Sequence, residues 1–260
     1  MVITAGVHGD EYEPILVASQ LCKYLESTPL LKGQVTIVTI ANRTAYENGS
    51  RFGSDGLDLA RVCPGNIYGN PTEAAAAKIS KLIEKADYLI DMHTGGVMYS
   101  IYPLVGYMLH AQSSVLEQQR QLCTAFALPI IWGTDATPDG RTLSVARDRA
   151  IPAIYLEYGG GTGIRSHVID AYFQGCINVL YQLEMVNDHY PTLPIEQRFW
   201  VEDPRQNSGY LQGMMPSPAA GIFQANVNIG DQVKKGQVWG TIHDPYSGNS
   251  QEVYAGIDGL

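Results

Sequence analysis

Cysteine is scarce and scattered in this chain. The four cysteines, Cys22, Cys63, Cys123 and Cys176, include no C-x-x-C pair. That distribution argues against a disulfide framework or a thiolate metal site and fits a reducing compartment. Basic residues are also few: 17 Lys and Arg against 26 Asp and Glu leave a formal net charge of -9. No basic stripe compensates, which excludes a nucleic-acid surface and leaves a membrane-surface helix without support. No apolar run approaches membrane-spanning length, and the N-terminus lacks a charged segment followed by an apolar one. The expectation is a soluble, cytoplasmic protein. With 45% hydrophobic and 17% charged residues among 260, the chain can bury one large domain, or a medium domain and a small one.

Residues 1–186 alternate β-rich runs with helical patterns. "VITA" leads to a helix over about 12–27, with Ile15, Leu16, Leu21 and Leu25 as its apolar face. "QVTIVTIA" (34–41) reads as a buried strand, and the polar, glycine-rich stretch from Asn42 to Pro71 is long for a structureless loop, hence suspect as a functional one. A helix over about 72–85, "YLIDMH" (88–93), a helix near 112–127, "PIIW", "AIYLEYG" (153–159) and a helix over about 165–185 follow. Strands alternating with helices predict an α/β domain: a mostly parallel or mixed sheet with helices on both faces. Residues 187–208 read as a connector. From 209 to 260, short alternating runs broken by glycine predict a small all-β, barrel-like domain that stops short of closing, and an unpaired sheet edge invites a homodimer.

Chemistry concentrates at strand ends. His8 and Glu11 stand three apart where a strand gives way to a helix, so both side chains share one side of the first turn. His93 ends an apolar strand and points into the crevice at the carboxyl ends of the strands, or it is a hydrogen-bonded core histidine. Two histidines and a carboxylate are the ligand set of a catalytic zinc with one position left for water. Asp91 shares a strand face with His93 and either holds a ligand imidazole from behind or caps a turn. Glu157 ends another apolar strand, where a carboxylate is costly unless paired or working. It suits a general base for water acidified by a metal, or pairs with an arginine. Arg51, Arg61 and Arg147 are candidates to grip a substrate carboxylate, or to stabilise an oxyanion, against the default of solvated arginines.

The order G-x-H-G-x-E, D-L-x-R-x-x-P-G, D-x-H-x-G and a strand ending E-x-G-G closely resembles the succinylglutamate desuccinylase/aspartoacylase family, across the chain from residue 2. That resemblance implies a zinc-carboxypeptidase-like fold and cleavage of the amide of a small N-acyl amino acid. It implies one zinc per chain on His8, Glu11 and His93, with Glu157 as the base. It further implies Arg51 and Arg61 at the substrate, Arg51 with a catalytic share, and Arg147 as a weaker candidate. "DLAR" departs from the family's usual D-L-N-R at Ala60, which bears on substrate identity rather than on the zinc chemistry. The C-terminal region resembles a biotinyl/lipoyl barrel in pattern, but "HDPYSGNSQEV" lacks the lysine a carrier needs. The alternatives are a zinc carboxypeptidase on short peptides and a non-catalytic ligand-binding relative.

Overall fold

The pentapeptide Leu-Ile-Asp-Met-His shows how alternation along a strand sorts side chains between two faces. A computed structural model describes residues 1–209 and 216–260. They divide into two compact units, Met1–Asn207 and Ser208–Leu260. In the first, the elements run β1 (Val2–Thr4), α1 (Tyr12–Ser27), β2 (Thr36–Val38), α2 (Arg43–Glu47), a 3-10 turn at Leu59–Arg61, α3 (Pro71–Ile83), β3 (Leu89–His93) and β4 (Ile101–Met108). They continue with α4 (Ser113–Phe126), β5 (Ile130–Thr134), α5 (Thr142–Asp148), β6 (Ala153–Gly159), α6 (Ser166–Gln182) and β7 (Phe199–Glu202). The seven strands form one sheet in the order β2-β1-β3-β6-β4-β5-β7. Every neighbouring pair is parallel except β4 with β6, where Ile101 stands opposite Gly159. This is the expected mostly parallel sheet.

Each face of the sheet has its own core. Ile90 and Met92 of β3 join α1, α4 and α6 in one apolar cluster. Leu89 joins α3, α5 and the 3-10 turn in the other. Since side chains alternate along a strand, Asp91 and His93 share the second face with Leu89. The registers Asp91↔Tyr155 and His93↔Glu157 then bring Glu157 beside His93 on that face.

Several local expectations need correction. The inner face of α1 is Val17, Ala18 and Leu21 together with Glu13 and Pro14, while Leu16 is exposed. The 34–41 run forms only the three-residue β2, half-buried because it is an edge strand with β1 as its one neighbour. The stretch read as a connector contributes β7, which pairs with β5, so the first unit extends to Asn207. The second unit is a three-stranded antiparallel sheet, β10 (Ser250–Tyr254), β9 (Val238–His243) and β8 (Ile222–Ala225), with the rings of Phe223 and Trp239 in contact at 5.0 Å. Among the described residues no helix is long and apolar enough to cross a membrane.

Gly9 fixes the turn from β1 to α1. Its N–H donates to Ser50 O at 2.9 Å, and a Cβ there would lie 2.0 Å from the Ala45 carbonyl carbon and 2.2 Å from Tyr46 N. Backbone cannot give way as a flexible side-chain tip can, so this glycine is sterically required. Gly9→Ala should destabilise the first unit by about 2–3 kcal/mol, whereas Gly256→Ala, with open space around its Cβ position, should stay within about 0.5 kcal/mol. Urea midpoints of the two variants measure the contrast; equal midpoints would mean the turn has slack.

Candidate metal centre and active site

The connection from β1 runs to β2 on one side of the sheet, while β3 lies on the other side of β1. Between β1 and β3 the chain direction across the sheet switches, and such a switch opens a crevice at the strands' carboxyl ends. His8 and Glu11 follow β1 into that crevice, and His93 enters it as the last residue of β3. The buried Tyr172 of α6 donates from its hydroxyl to the His93 carbonyl at 2.6 Å, fixing the end of the strand from beneath.

Glu11 holds both imidazoles. His8 Nδ1 lies 2.7 Å from its Oε1 and His93 Nδ1 lies 3.1 Å from its Oε2. Donor atoms of the three residues all fall within 4.8 Å of one another, and all three residues are buried. The outer nitrogens are also engaged: His8 Nε2 meets Asp58 Oδ1 at 3.1 Å and His93 Nε2 meets Asp91 Oδ2 at 3.0 Å. Asp91 is fixed in turn by the Thr4 hydroxyl at 2.5 Å and by the Thr142 hydroxyl. Asp58 accepts from Ala60 N at 2.9 Å and from Arg51 Nε at 3.0 Å. Imidazoles held from behind by carboxylates, with their other nitrogens turned to a shared centre, are what a divalent metal site requires. His8, Glu11 and His93 could therefore bind a metal ion.

The protonation states fit the same reading. Burial would raise the Glu11 carboxyl, but the charges and hydrogen bonds of His8 and His93 win and hold it at about 2. Burial would lower His93, but Asp91 and Glu11 win and raise it well above the ordinary imidazole value. His8 is raised likewise, burial being outweighed by Glu11 and Asp58. In both histidines the surrounding carboxylates favour the protonated imidazole.

Glu157 behaves oppositely. Burial, reinforced by the Glu11 carboxylate and partly offset by His93, His8 and Arg51, pushes its carboxyl up to about 8. Its Oε2 is shielded from solvent and has no hydrogen-bond partner among the described residues. The arginines separate into two groups. The Arg51 guanidinium pairs with Asp58 at 2.8 Å and comes within 3.5 Å of His8 Nδ1. Arg61 donates to Ala60 O at 2.8 Å, and its charge also acts on Asp58. Arg147 is committed elsewhere: it pairs with Asp139 and Asp148 at 2.6 and 2.7 Å and donates to the carbonyls of Ala136 and Pro138. It ties the 136–139 loop to α5. Sequence reasoning missed Asp58, although the residue stands in the quoted "DLAR"; an acidic side chain starting a short turn carries no mark of a remote histidine.

Comparison with known proteins gives the family and the fold. The family model described as the succinylglutamate desuccinylase/aspartoacylase catalytic domain matches residues 1–183. The chain is 30% identical over 250 residues to the N-alpha-acetyl-L-2,4-diaminobutyric acid deacetylase of Halomonas elongata, a match covering 94% of this chain and 70% of that one. The product-bound ectoine utilization protein EutE of Ruegeria pomeroyi shares the fold, with a TM-score of 0.88 at 22% identity, over 100% of this chain and 78% of that one. An aspartoacylase family protein of Mesorhizobium loti aligns with a TM-score of 0.80 at 26% identity, covering 99% and 77%. Since the family model spans most of the first unit and the deacetylase matches nearly the whole chain, this protein belongs to the succinylglutamate desuccinylase/aspartoacylase family of deacylases.

Proposed function

We propose that the chain is a zinc-dependent hydrolase that cleaves the amide bond of a small N-acyl amino acid, with His8, Glu11 and His93 as metal ligands and Glu157 as general base. The observation that carries this reading is the convergence of three buried donors within 4.8 Å beside a carboxylate oxygen that has no hydrogen-bond partner among the described residues. Residues 1–186 are assigned the catalysis. The second unit contributes none of these side chains. The Halomonas relative, named for removing an acetyl group from an α-amino nitrogen, supports the substrate class.

Each side chain has a separate task. A zinc ion in this site would supply a Lewis-acid charge that polarises an amide carbonyl and acidifies water. Glu157 takes the proton of the attacking water and passes one to the departing amine. Its high proton affinity, together with an oxygen that no described residue engages, suits it to both halves of that transfer. Asp58 and Asp91 hold the imidazoles in the required tautomer and orientation. Arg51 and Arg61 receive the substrate carboxylate, and Arg51, 3.5 Å from His8 Nδ1, also faces charge developing on the carbonyl oxygen.

The purified protein should hold about one zinc per chain, and His8→Ala or His93→Ala should remove most of it; full metal content in both variants, by elemental analysis, would sink the ligand assignment. Binding should also depend on pH in a definite direction. Both imidazoles are raised in the metal-free state by the carboxylates around them, so a metal competes with protons for the same nitrogens. Affinity should therefore rise with pH, by up to about a hundredfold per unit while two protons are released. Competition titrations against a chelator between pH 6 and 8 measure this, and a flat profile contradicts it. Glu157→Gln should retain zinc and fold yet lose roughly 10²–10⁴-fold in kcat on a panel of N-acyl amino acids. A near-normal kcat would leave Glu157 a structural role only.

A further inference from the structure

We infer that the site accepts an acyl group longer than acetyl, which lies on an apolar lip formed by Val97, Met98 and Tyr99 after β3 and by Ile164 after β6. This inference rests on the deacylase reading above and deepens it by specifying the acyl side of the substrate.

Val97, Met98 and Tyr99 are three consecutive apolar residues with 48%, 79% and 51% of their surface exposed, and Ile164 is 56% exposed. Runs of exposed apolar side chains are avoided in folded proteins unless they have a use. Here the run is held against the site rather than hanging free. Asp10, between the ligands His8 and Glu11, accepts from Val97 N at 3.2 Å. A Cβ on Gly96 would come 2.6 Å from Asp10 Oδ2, so the loop lies directly on that carboxylate. Gly161 N donates to Gly96 O at 2.7 Å, and Cβ atoms on Gly95 and Gly160 would both run into Tyr99 O. The segments that carry His8 and Glu11, His93 and Glu157 thus converge on Gly95–Tyr99.

The order of strands sets which end of the substrate meets this lip. Across the sheet, β2 precedes β1, β3 and β6. Arg51 and Arg61 lie in the long stretch after β2, and their charges gather at Asp58 on the His8 side. The lip follows β3 and β6, on the His93 and Glu157 side. An amide within reach of both His93 and Glu157 then has one substituent directed to the arginines and the other to Val97, Met98, Tyr99 and Ile164. The carboxylate of the amino-acid part belongs at the cationic end, leaving the acyl chain for the apolar one.

The test is a series of N-acetyl, N-propionyl and N-butyryl 2,4-diaminobutyrates with the zinc-loaded full chain. Burying each added methylene should raise kcat/KM about fourfold, so the butyryl compound should exceed the acetyl compound by about tenfold or more. In the double variant Val97→Ser with Met98→Ser, both on an exposed loop, the butyryl-to-acetyl ratio should fall to about two or less. Ile164→Ser provides an independent second variant and should lower the ratio in the same direction. Hydrolysis at rates that do not depend on acyl length, or a ratio unchanged in both variants, overturns this inference and leaves the deacylase reading standing. No hydrolysis of this series or of any compound in the wider panel of N-acyl amino acids overturns the deacylase reading and the inference with it.

Discussion

The grip of the Glu11 carboxylate on two imidazoles is the interaction around which the rest of the first unit is arranged. One oxygen meets His8 and the other His93, and Asp58 and Asp91 close the two ends. The result is a row of alternating charge, acid–imidazole–acid–imidazole–acid, whose three inner members and Asp91 are all buried. Buried charge is tolerated only when it is fully paired, and removing one member of such a row typically costs 3–5 kcal/mol because it strands its neighbour. The scaffold supplies that pairing from four separate parts of the chain. Thr4 and Thr142 secure Asp91, the 3-10 turn secures Asp58, and the Gly9 turn sets His8 beside Glu11.

The fold was legible where the chain repeats a simple period, and so was the core of the site. In Leu89–His93 alternation alone puts Asp91 and His93 on one face and Ile90 and Met92 on the other. The H-x-x-E spacing at a strand-to-helix junction likewise has few geometric outcomes. Elements whose period is interrupted were harder to see. β4 carries Pro103 and Gly106 within its eight residues, the glycine being needed because a Cβ there would lie 2.4 Å from the Tyr155 ring. β7 is only Phe199–Glu202, set among charged and proline-rich neighbours, and its strand character comes from pairing with β5 rather than from its own pattern.

Long-range pairing is what sequence spacing does not convey. Arg147 stands ten residues before Glu157, yet its partners are the carbonyls and carboxylates of its own neighbourhood, since it occupies the last turn of α5. Asp58 lies fifty residues from His8 and touches it. Ala60 shows the same limit: it is buried in the apolar cluster with Leu59 and Cys63, so its small side chain answers to core packing as well as to any substrate.

The reversed direction of β4 has a consequence for how this site can diversify. Because β4 runs antiparallel to β6, with Ile101 opposite Gly159, it starts at the same rim of the sheet where β3 ends. Residues 94–100 therefore join the two strands without crossing to the far side of the molecule, as a parallel successor would have demanded. Changes in that link beyond the closely packed Gly95 and Gly96 alter what borders the candidate metal centre while every strand register and both hydrophobic clusters stay as they are. Loops of this kind accept insertion and replacement far more readily than the elements they connect. One inverted strand thus sets a changeable surface link apart from the buried charge row beside it.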